Sequence, residues 1–330
     1  MKPNPIVPTV DFDADGVQHG FLRLPWSRNE SAWGNLMMPT AVIRNGQGPT
    51  ALLTGGNHGD EYEGPVALTE LARTLDPKSI TGRVIIIPFM NYPAFQAGQR
   101  VSPIDGGNLN RLFPGRPDGT VTEKIADYFQ RTLLPMADLV LDFHSGGRTL
   151  DFLPFAASHV LPDREQEARC LAARDAFAAP YSMAMTEIDA VGMYDTAAEE
   201  MGKTFVTTEL GGGGTATARS LAIARRGVRN VLKHAGILAG EIEQSPSIRL
   251  DMPSADCFTF GEREGLVAFE LDLGAKVRAG NLLARVYPTD RLGAPPIEYL
   301  AKLDGIVASR HVPGLTVAGD CLAVVAVEKE

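Results

Sequence analysis

The sequence predicts an α/β fold, in which a mostly parallel or mixed sheet is flanked by helices and is followed by a small all-β domain at the C-terminus. Strand and helix patterns alternate between residues 49 and 240, which is typical of a sheet covered by helices on both faces. From about residue 246 the chain holds short alternating apolar runs and no helical period. Two segments of this C-terminal part also resemble each other, which indicates an internal duplication.

The composition is typical of a soluble globular enzyme and argues against several other classes of protein. The chain has 330 residues, of which 44% are hydrophobic and 22% are charged. A net charge of −9 without any block of Lys and Arg argues against nucleic acid as a partner. No apolar run approaches the ~18 residues of a membrane span, and Cys170, Cys257 and Cys321 form no CxxC pair. We therefore expect a cytoplasmic protein with unpaired thiols and no membrane partner.

The first half of the α/β part predicts strands, one helix and a long loop. Residues 1–48 have a β-rich or irregular pattern, with strand and turn pieces at "HGFLRLPWS" and "MMPTAVIRNGQG". The segments "PTALLTGG" and "GRVIIIPFMN" predict buried strands, and "EGPVALTELARTL" between them predicts an amphipathic helix. Residues 91–118 are polar and rich in Gly and Pro. A loop of that length inside a compact domain is usually functional.

The second half continues the alternation. A helix is predicted at "VTEKIADYFQRTLLP" and a strand at "ADLVLDFHSGG". The segment "DREQEARCLAARDAFA" has a helical period, and "KTFVTTELGGGG" predicts a strand that ends in a glycine turn. A last helix is predicted at "ARSLAIARRGVRNVLKHAGIL".

The C-terminal part contains two similar pieces, "GLVAFELDLGAKVRAGNLLARV" and "GIVASRHVPGLTVAGDCLAVV". Each piece opens on Gly-x-Val, turns at a glycine-rich segment and closes with an apolar strand. We predict a catalytic domain at residues 1–245 and a β domain with a duplicated half-barrel at residues 246–330.

Three predicted strand ends carry side chains that can bind a metal ion or move a proton. His58 and Glu61 follow the first strand, His144 ends the second, and Glu209 ends the third. Ligands of open α/β sheets bind beyond the carboxyl ends of the strands, and two imidazoles with one carboxylate form the ligand set of a catalytic zinc. We therefore predict a metal site at His58, Glu61 and His144. The alternatives are a loop histidine beside a helix N-terminus for His58 and a core histidine for His144.

Glu209 and the long loop offer the remaining catalytic groups. Glu209 suits a general base, because the glycines after it let a substrate approach the backbone; the alternative is an ordinary exposed or capping acid. These glycines lack the Gly-Lys-Ser/Thr of a phosphate-binding loop. Asn110, Arg111 and Arg100 can donate hydrogen bonds to a carboxylate and to a developing oxyanion. The alternative for both arginines is a solvated pair with a nearby aspartate.

Four motifs, in this order, resemble the succinylglutamate desuccinylase/aspartoacylase family of zinc hydrolases: "GGNHGDEYEG", "NLNRLF", "LDFHSGG" and "TTELGGGG". The resemblance covers about residues 45–240. The family is related to the zinc carboxypeptidases, which implies a carboxypeptidase-like α/β fold. Within the family, the resemblance is greatest to the group that deacetylates N-acetyl-2,4-diaminobutyrate in ectoine degradation, which shares the "WGN" segment and a C-terminal β domain.

The resemblance implies one zinc ion per subunit and hydrolysis of a small-molecule N-acyl amino acid, with N-acetyl-2,4-diaminobutyrate as the best match. A water activated by zinc would attack the acyl carbonyl, and a glutamate would pass the proton to the leaving amine. The residues implied are zinc ligands at His58, Glu61 and His144, a catalytic glutamate at Glu209, a carboxylate-binding pair at Asn110 and Arg111, and a carbonyl-polarising arginine at Arg100.

The chain departs from the family in one respect. Members that act on aspartate- or glutamate-type substrates use further cationic residues for the side-chain carboxylate, and no such residue can be placed here. The segment "TEIDAVGMYD" instead contains Glu187, Asp189 and Asp195, which can meet a cationic amine. Acidic side chains are mostly exposed in folded proteins, so we expect these three to be solvated.

Three rival functions remain open from the sequence. One is a zinc carboxypeptidase that acts on peptides, and another is a deacylase of the succinylglutamate or aspartoacylase type. The third is a carrier protein, since the β domain resembles biotinyl and lipoyl modules. The link between its two halves, "YPTDRLGAPPIE", contains no lysine for attachment and Lys302 lies later, so packing against the cleft or narrowing it is the better prediction for this domain. A homo-oligomer is compatible with the sequence, and the native divalent metal is open.

Overall fold

The structure, a computed structural model, describes residues 2–185 and 191–329. In these ranges fifteen strands hydrogen-bond into one mixed sheet, and four strands form a second, smaller sheet. Helices pack on both faces of the large sheet. The predicted α/β class is therefore confirmed. No helix in the described ranges is long and apolar enough to cross a membrane.

The four predicted helices are present and begin within one residue of the predicted segments, and two of them carry a capping box. The short helices at Tyr92–Ala97 and Tyr194–Glu199 were not predicted. Thr120 accepts a hydrogen bond from the Glu123 backbone N–H and the Glu123 side chain accepts one from Thr120. The helix that starts there continues through a π-helical turn, Phe129–Leu133. Residues 91–118 are not wholly irregular, since they contain a short helix and a 3-10 turn, Leu109–Arg111. The helices are α1 (Glu63–Thr74), α2 (Tyr92–Ala97), α3 (Val121–Tyr128), α4 (Leu134–Met136), α5 (Arg164–Phe177), α6 (Tyr194–Glu199) and α7 (Ala218–His234).

The N-terminal residues form an antiparallel edge of the large sheet. Strands in this segment were predicted, and the longest two pair from Gly16 opposite Arg44 to Pro25 opposite Asn35. The strands are β1 (Val7–Pro8), β2 (Gly16–Pro25) and β3 (Asn35–Asn45).

The centre of the sheet consists of the predicted buried strands. They are β4 (Thr50–Gly55), β5 (Gly82–Ile87), β6 (Leu139–His144) and β10 (Thr204–Glu209), in the order β5-β4-β6-β10 and parallel to one another. Consecutive apolar residues point to opposite faces. Leu53 and Leu141 pack in the same cluster as side chains of α1, α5 and α7. Leu52 and Val140 pack on the other face with side chains of β2, β3 and α3. Burial on both faces explains why these strands are continuous apolar runs.

Three strands between β6 and β10 were not predicted: β7 (Leu150–Phe152), β8 (Phe155–His159) and β9 (Tyr181–Met185). β8 is antiparallel to β10, with Phe155 opposite Glu209. β9 is parallel to β8, with Met185 opposite His159. These strands widen the sheet on the side of β10 away from β6, and β8 runs from the level of Glu209 back toward the start of β10.

The strands beyond residue 245 are β11 (Ile248–Asp251), β12 (Phe258–Phe260), β13 (Gly265–Phe269), β14 (Lys276–Val277), β15 (Leu282–Tyr287), β16 (Ile297–Leu300), β17 (Gly305–His311), β18 (Leu315–Thr316) and β19 (Cys321–Glu328). The two similar C-terminal pieces each fold as a long, a short and a long strand. The first strand of each piece pairs with the short strand of the other, so that β13 pairs with β18 and β17 with β14. The large sheet continues from β9 through β11 into β19, and it therefore crosses residue 245; the division into two domains there stays a prediction.

Candidate metal centre and substrate cavity

His58 and Glu61 lie in the turn that joins β4 to α1. Both side chains are buried, with 3% and 2% of their surface exposed. Gly59 between them packs against α2 so closely that a Cβ atom there would lie 2.0 Å from the carbonyl carbon of Ala94. Glycine is therefore required for the turn to lie against α2 and to direct His58 and Glu61 inward.

His144 ends the neighbouring strand β6 and meets the same turn. Oε1 of Glu61 lies 2.7 Å from Nδ1 of His58, and Oε2 of Glu61 lies 3.0 Å from Nδ1 of His144. One ligand atom from each of the three residues lies within 4.8 Å of the others. The structure thus brings the three predicted residues into one cluster that can hold a metal ion.

The far nitrogens of both imidazoles are held by oxygen acceptors. Nε2 of His144 lies 2.8 Å from Oδ2 of Asp142, and Nε2 of His58 lies 3.2 Å from Oδ1 of Asn108. An Nε2–H that donates to these oxygens leaves the Nδ1 lone pair of each ring facing Glu61. A carboxylate and two such lone pairs repel one another unless a cation lies between them, so the donor set fits a divalent metal.

The charge states of Glu61 and His58 agree with this fit, whereas His144 must release a proton before it binds a metal. Burial lowers the pKa of the His144 ring, but the carboxylates of Asp142 and Glu61 outweigh burial and hold that pKa well above its usual range. Burial alone would raise the pKa of Glu61, but His58 and His144 outweigh it and hold the pKa of that carboxyl well below its usual range. Burial lowers the pKa of His58. An ionised carboxylate and a neutral imidazole are the forms in which these side chains bind metals.

Glu209 lies directly beside His144, because the two residues are paired in the register of β10 and β6. Burial, and then the negative charge of Glu61, raise the pKa of the Glu209 carboxyl to about 8. Its Oε2 is enclosed, and no side chain or backbone group of the described residues hydrogen-bonds to it. The structure therefore places a carboxyl group that can exchange protons near neutral pH next to the cluster.

The three predicted residues of the long loop also reach this region. Nη1 of Arg100 lies 3.7 Å from Oε1 of Glu61, and the Arg100 side chain is about half exposed. Asn110 is buried, and its Oδ1 accepts a hydrogen bond from the backbone N–H of Tyr194 at 3.0 Å. Nη1 of Arg111 donates to the carbonyl oxygen of Asn110 at 2.7 Å. Asn110 thereby joins the loop to the first residue of α6.

The seven predicted site residues all line one cavity of about 380 Å³. Asp195 also lines it and is buried, with 7% of its surface exposed, so the expectation of a solvated acid is wrong for Asp195; Glu187 and Asp189 lie outside the described residues. The remaining walls are mainly apolar and come in part from strands beyond residue 245. The lining residues are His58, Glu61, Arg100, Asn110, Arg111, His144, Leu150, Phe152, Phe155, His159, Met183, Met185, Met193, Asp195, Thr207, Glu209, Met252, Phe258, Phe260, Ala308, Cys321 and Val324.

The sequence patterns did not predict the roles of Asp142, Asn108 and His159. A signal existed for Asp142, since residues two apart on a strand share a face and "LDFH" places it two residues before His144. Asn108 lies within the "NLNRLF" motif. His159 is on β8, and since that strand itself was not predicted, no pattern pointed to the histidine.

Comparisons with known proteins agree with this geometry. The profile of the family described as "Succinylglutamate desuccinylase/Aspartoacylase catalytic domain" matches residues 47–235. The N-alpha-acetyl-L-2,4-diaminobutyric acid deacetylase of Halomonas elongata is 58% identical over 99% of this chain and 96% of its own length.

Two solved structures superpose closely on the chain. One is the product-bound structure of the ectoine utilization protein EutE (DoeB) from Ruegeria pomeroyi, which is 65% identical, with a TM-score of 0.98 over 99% of this chain and 100% of that one. The other is a succinylglutamate desuccinylase from Silicibacter sp. TM1040, which is 63% identical, with a TM-score of 0.98 over the whole of both chains.

Proposed function

Because the chain belongs to the succinylglutamate desuccinylase/aspartoacylase family, we propose that it is a zinc-dependent amidohydrolase of the cytoplasm that removes the acetyl group from N-acetyl-2,4-diaminobutyrate in ectoine degradation. The named deacetylase and the ectoine utilization protein, which are similar over nearly the whole chain, support this substrate. One observation carries the chemistry: the cluster of His58, Glu61 and His144 shares a cavity with Glu209.

A zinc ion would be held by His58, Glu61 and His144, the residues whose ligand atoms lie within 4.8 Å of one another. Once bound, a zinc ion supplies Lewis-acid polarisation of the scissile carbonyl and lowers the pKa of a water to about 7. Asp142 keeps the His144 ring in the orientation and tautomer that this requires.

Glu209 moves the protons. It accepts a proton from the attacking water and later donates that proton to the amide nitrogen as the C–N bond breaks. Burial and the negative charge of Glu61 raise its pKa to about 8, and a cation bound beside Glu61 would lower that pKa toward neutral, where a carboxyl group can both accept and donate a proton. Oε2 is enclosed and has no hydrogen-bond partner among the described residues, so none of their donors competes for that oxygen with the proton that the carboxyl group carries.

Arg100 stabilises the negative charge that develops on the carbonyl oxygen. Its guanidinium is close enough to the cluster to contact Glu61, and it is always protonated. Arg100 is about half exposed, and its 3.7 Å separation from the buried Glu61 carboxylate is longer than a hydrogen bond, so a shift toward a substrate would break no hydrogen bond between the two. Of the assigned roles, this one depends most on movement after the substrate binds.

Asn110 and Arg111 bind the α-carboxylate of the amino acid. The oxygen of the Asn110 side chain is engaged by the Tyr194 N–H, so its amide N–H group is the part directed to a ligand. Arg111 adds a planar donor with a permanent charge. Together they place the α-nitrogen and its acetyl group toward the metal.

The size of the cavity separates this function from that of a peptidase. A volume of about 380 Å³ is near the lower end for small-molecule sites. Met252, Phe258 and Cys321, all from beyond residue 245, form part of its wall. The C-terminal strands therefore narrow the cleft to the size of an acylated amino acid.

A metal assay and a substrate panel test the proposal. Purified protein should hold one zinc per chain and should hydrolyse N-acetyl-2,4-diaminobutyrate with a higher kcat/KM than N-succinylglutamate, N-acetylaspartate or a blocked dipeptide. A higher kcat/KM for N-succinylglutamate would favour a desuccinylase, the activity for which the relative from Silicibacter is named. A higher kcat/KM for the dipeptide would favour a carboxypeptidase.

A further inference from the structure

A buried group of charged side chains lies in the cavity apart from the metal cluster. His159, on β8, is 3% exposed, and Asp195 and Glu199, both on α6, are 7% and 9% exposed. Nδ1 of His159 lies 2.9 Å from both carboxylate oxygens of Glu199. Nε2 of the same ring lies 3.9 Å from Oδ2 of Asp195.

The helix and the imidazole together fix the position of Asp195. Residues four apart on a helix share a face, so Asp195 and Glu199 both point toward β8, and His159 lies between them. Oδ1 of Asp195 accepts a hydrogen bond from the Thr196 backbone N–H at 2.6 Å. With both acids ionised, the three side chains carry a net negative charge whether or not the ring is protonated, and Asp195 and His159 line the cavity.

The register of the sheet places this group at a distance from Glu209 that a small amino acid can span. Ala157 is opposite Thr207 and Phe155 is opposite Glu209, so His159 lies on the same face of the sheet, four residues further along. At about 3.3 Å per residue, the two backbone positions are roughly 13 Å apart along the strands. The side chains of Glu209 and His159 both line the cavity.

The carboxylate-binding pair is connected to the same helix. Asn110 accepts its hydrogen bond from Tyr194, the residue immediately before Asp195. A substrate whose α-carboxylate is held by Asn110 and Arg111 therefore lies beside the first turn of α6. Met193, which precedes Tyr194, and Met185, which is opposite His159 on β9, also line the cavity. Their flexible side chains offer apolar contacts to a methylene chain.

Charge balance assigns Asp195 a role. The carboxylates of described residues that line the cavity are Glu61, Asp195 and Glu209. Glu61 belongs to the metal cluster and Glu209 to proton transfer, so neither is available to pair with a substrate cation. We propose that Asp195, positioned by His159 and Glu199, binds the side-chain ammonium of the substrate and selects cationic N-acyl amino acids over neutral and anionic ones. This inference rests on the proposed deacetylase function and names the residue that sets its side-chain specificity.

Three substrates of similar length test the inference. N-acetyl-2,4-diaminobutyrate carries the ammonium, N-acetylnorvaline replaces it with a methyl group, and N-acetylglutamate replaces it with a carboxylate. The wild-type protein should show a kcat/KM at least tenfold higher for the first than for the second, and the lowest value for the third. Asp195→Asn should lower kcat/KM for the cationic substrate ten- to hundredfold and change that for N-acetylnorvaline less than threefold.

The variants are chosen to separate specificity from folding. Asparagine keeps the oxygen that accepts the Thr196 N–H, so the start of α6 is retained. Glu200→Gln removes one charge from an exposed residue beside the same helix and should leave all three kcat/KM values unchanged. His159→Gln should reduce the preference for the cation in the same direction as Asp195→Asn, without an equal loss on N-acetylnorvaline.

The outcomes distinguish this inference from the proposed function. Equal kcat/KM values of the wild-type protein for the cationic and neutral substrates would overturn the role of Asp195 alone, and this comparison needs no variant to fold. An equal loss on both substrates in a folded Asp195→Asn protein would overturn it as well. Failure of the wild-type protein to hydrolyse any of the three would overturn the proposed function and this inference with it.

Discussion

Nε2 of His144 lies 2.8 Å from Oδ2 of Asp142, the residue two positions earlier on the same strand. The Asp142 carboxylate is itself held by the hydroxyl of Thr54 at 2.7 Å and by the amide of Asn57 at 3.2 Å. Because His144 donates to a fixed acceptor, its Nδ1 faces Glu61 and the other histidine. Asp142 is therefore a positioning residue that prepares the ring for a metal.

We predict that Asp142→Asn weakens zinc binding about ten- to hundredfold, since loss of a carboxylate that holds a ligating histidine has an effect of that size. Competition with a chromogenic chelator measures the affinity. Asp256→Asn, at an exposed site, serves as the matched control and should bind zinc as the wild-type protein does. Unchanged affinity in Asp142→Asn would show that the ring is oriented by other contacts.

Replacement of Glu209 should separate metal binding from turnover. Glu209→Gln keeps the shape of the side chain but removes the proton acceptor, so kcat should fall about 10²- to 10⁴-fold. The zinc content, measured by elemental analysis, should stay at the wild-type level. If Glu209→Gln retained near-normal turnover, the assignment of the general base would be wrong.

Replacement of Arg111 should affect binding of the α-carboxylate. Arg111→Ala should raise KM for N-acetyl-2,4-diaminobutyrate by roughly ten- to hundredfold, which corresponds to the loss of one charged hydrogen bond of about 1.5 to 3 kcal/mol. The matching substrate with its α-carboxylate converted to an amide should be a poor substrate for the wild-type protein, and its KM should change little in the variant. An equal rise in KM for both substrates would place Arg111 elsewhere in the site.

The thiol of Cys321 should react slowly in the native protein. Burial, with a smaller contribution from Asp320, raises its pKa from 9.0 to about 11. Only the thiolate reacts with iodoacetamide, so at pH 8 the reactive fraction should be about 100-fold smaller than in the unfolded chain, and alkylation should accelerate as the pH rises toward 11. Mass spectrometry of the modified peptide measures the rate, with protein unfolded in urea as the reference. A native rate at pH 8 equal to the unfolded rate would contradict this burial.

The layer of helices over β6 depends on one aromatic side chain. Phe177, at the end of α5, is fully buried, and its ring lies 5.9 Å from that of Phe143. Gly227 on α7 packs on the Phe177 ring, and a Cβ atom at Gly227 would lie 2.2 Å from Cζ of that ring. Phe177→Ala should lower the free energy of unfolding by about 3 to 5 kcal/mol, measured by urea denaturation. Phe21→Ala, where the side chain is 39% exposed, should lower it much less.

The sequence predicts the strands that carry the metal cluster because each strand can be identified from its own residues. β4, β5 and β6 are buried on both faces, so continuous apolar runs such as "RVIII" and "LVLDF" identify them without knowledge of their partners. The polar residues that follow these runs must then meet at one edge of a parallel sheet. His58, Glu61 and His144 could be grouped on that basis alone.

The opposite wall of the cavity has no such local signal. β8 ("FAASH") and β9 ("YSMAM") are rich in Ala, Ser and Met, which have little preference for strands, and it is their pairing with β10 and β11 that makes them strands. The position of His159 in the cavity wall depends on that pairing. The burial of Asp195 depends on it too, and on the hydrogen bond between Asn110 and Tyr194. The composition of "TEIDAVGMYD" by itself favoured solvated acids over a site for a cationic amine.

The metal content of the purified protein, measured together with activity before and after chelation, tests the central claim most directly. The protein should contain one zinc per chain and lose both zinc and deacetylase activity when dialysed against a strong chelator, and added zinc should restore them. His144→Ala should hold no zinc, whereas His234→Ala, at the exposed end of α7, should retain it. Fully active protein that contains no divalent metal and is unaffected by chelators would contradict the account.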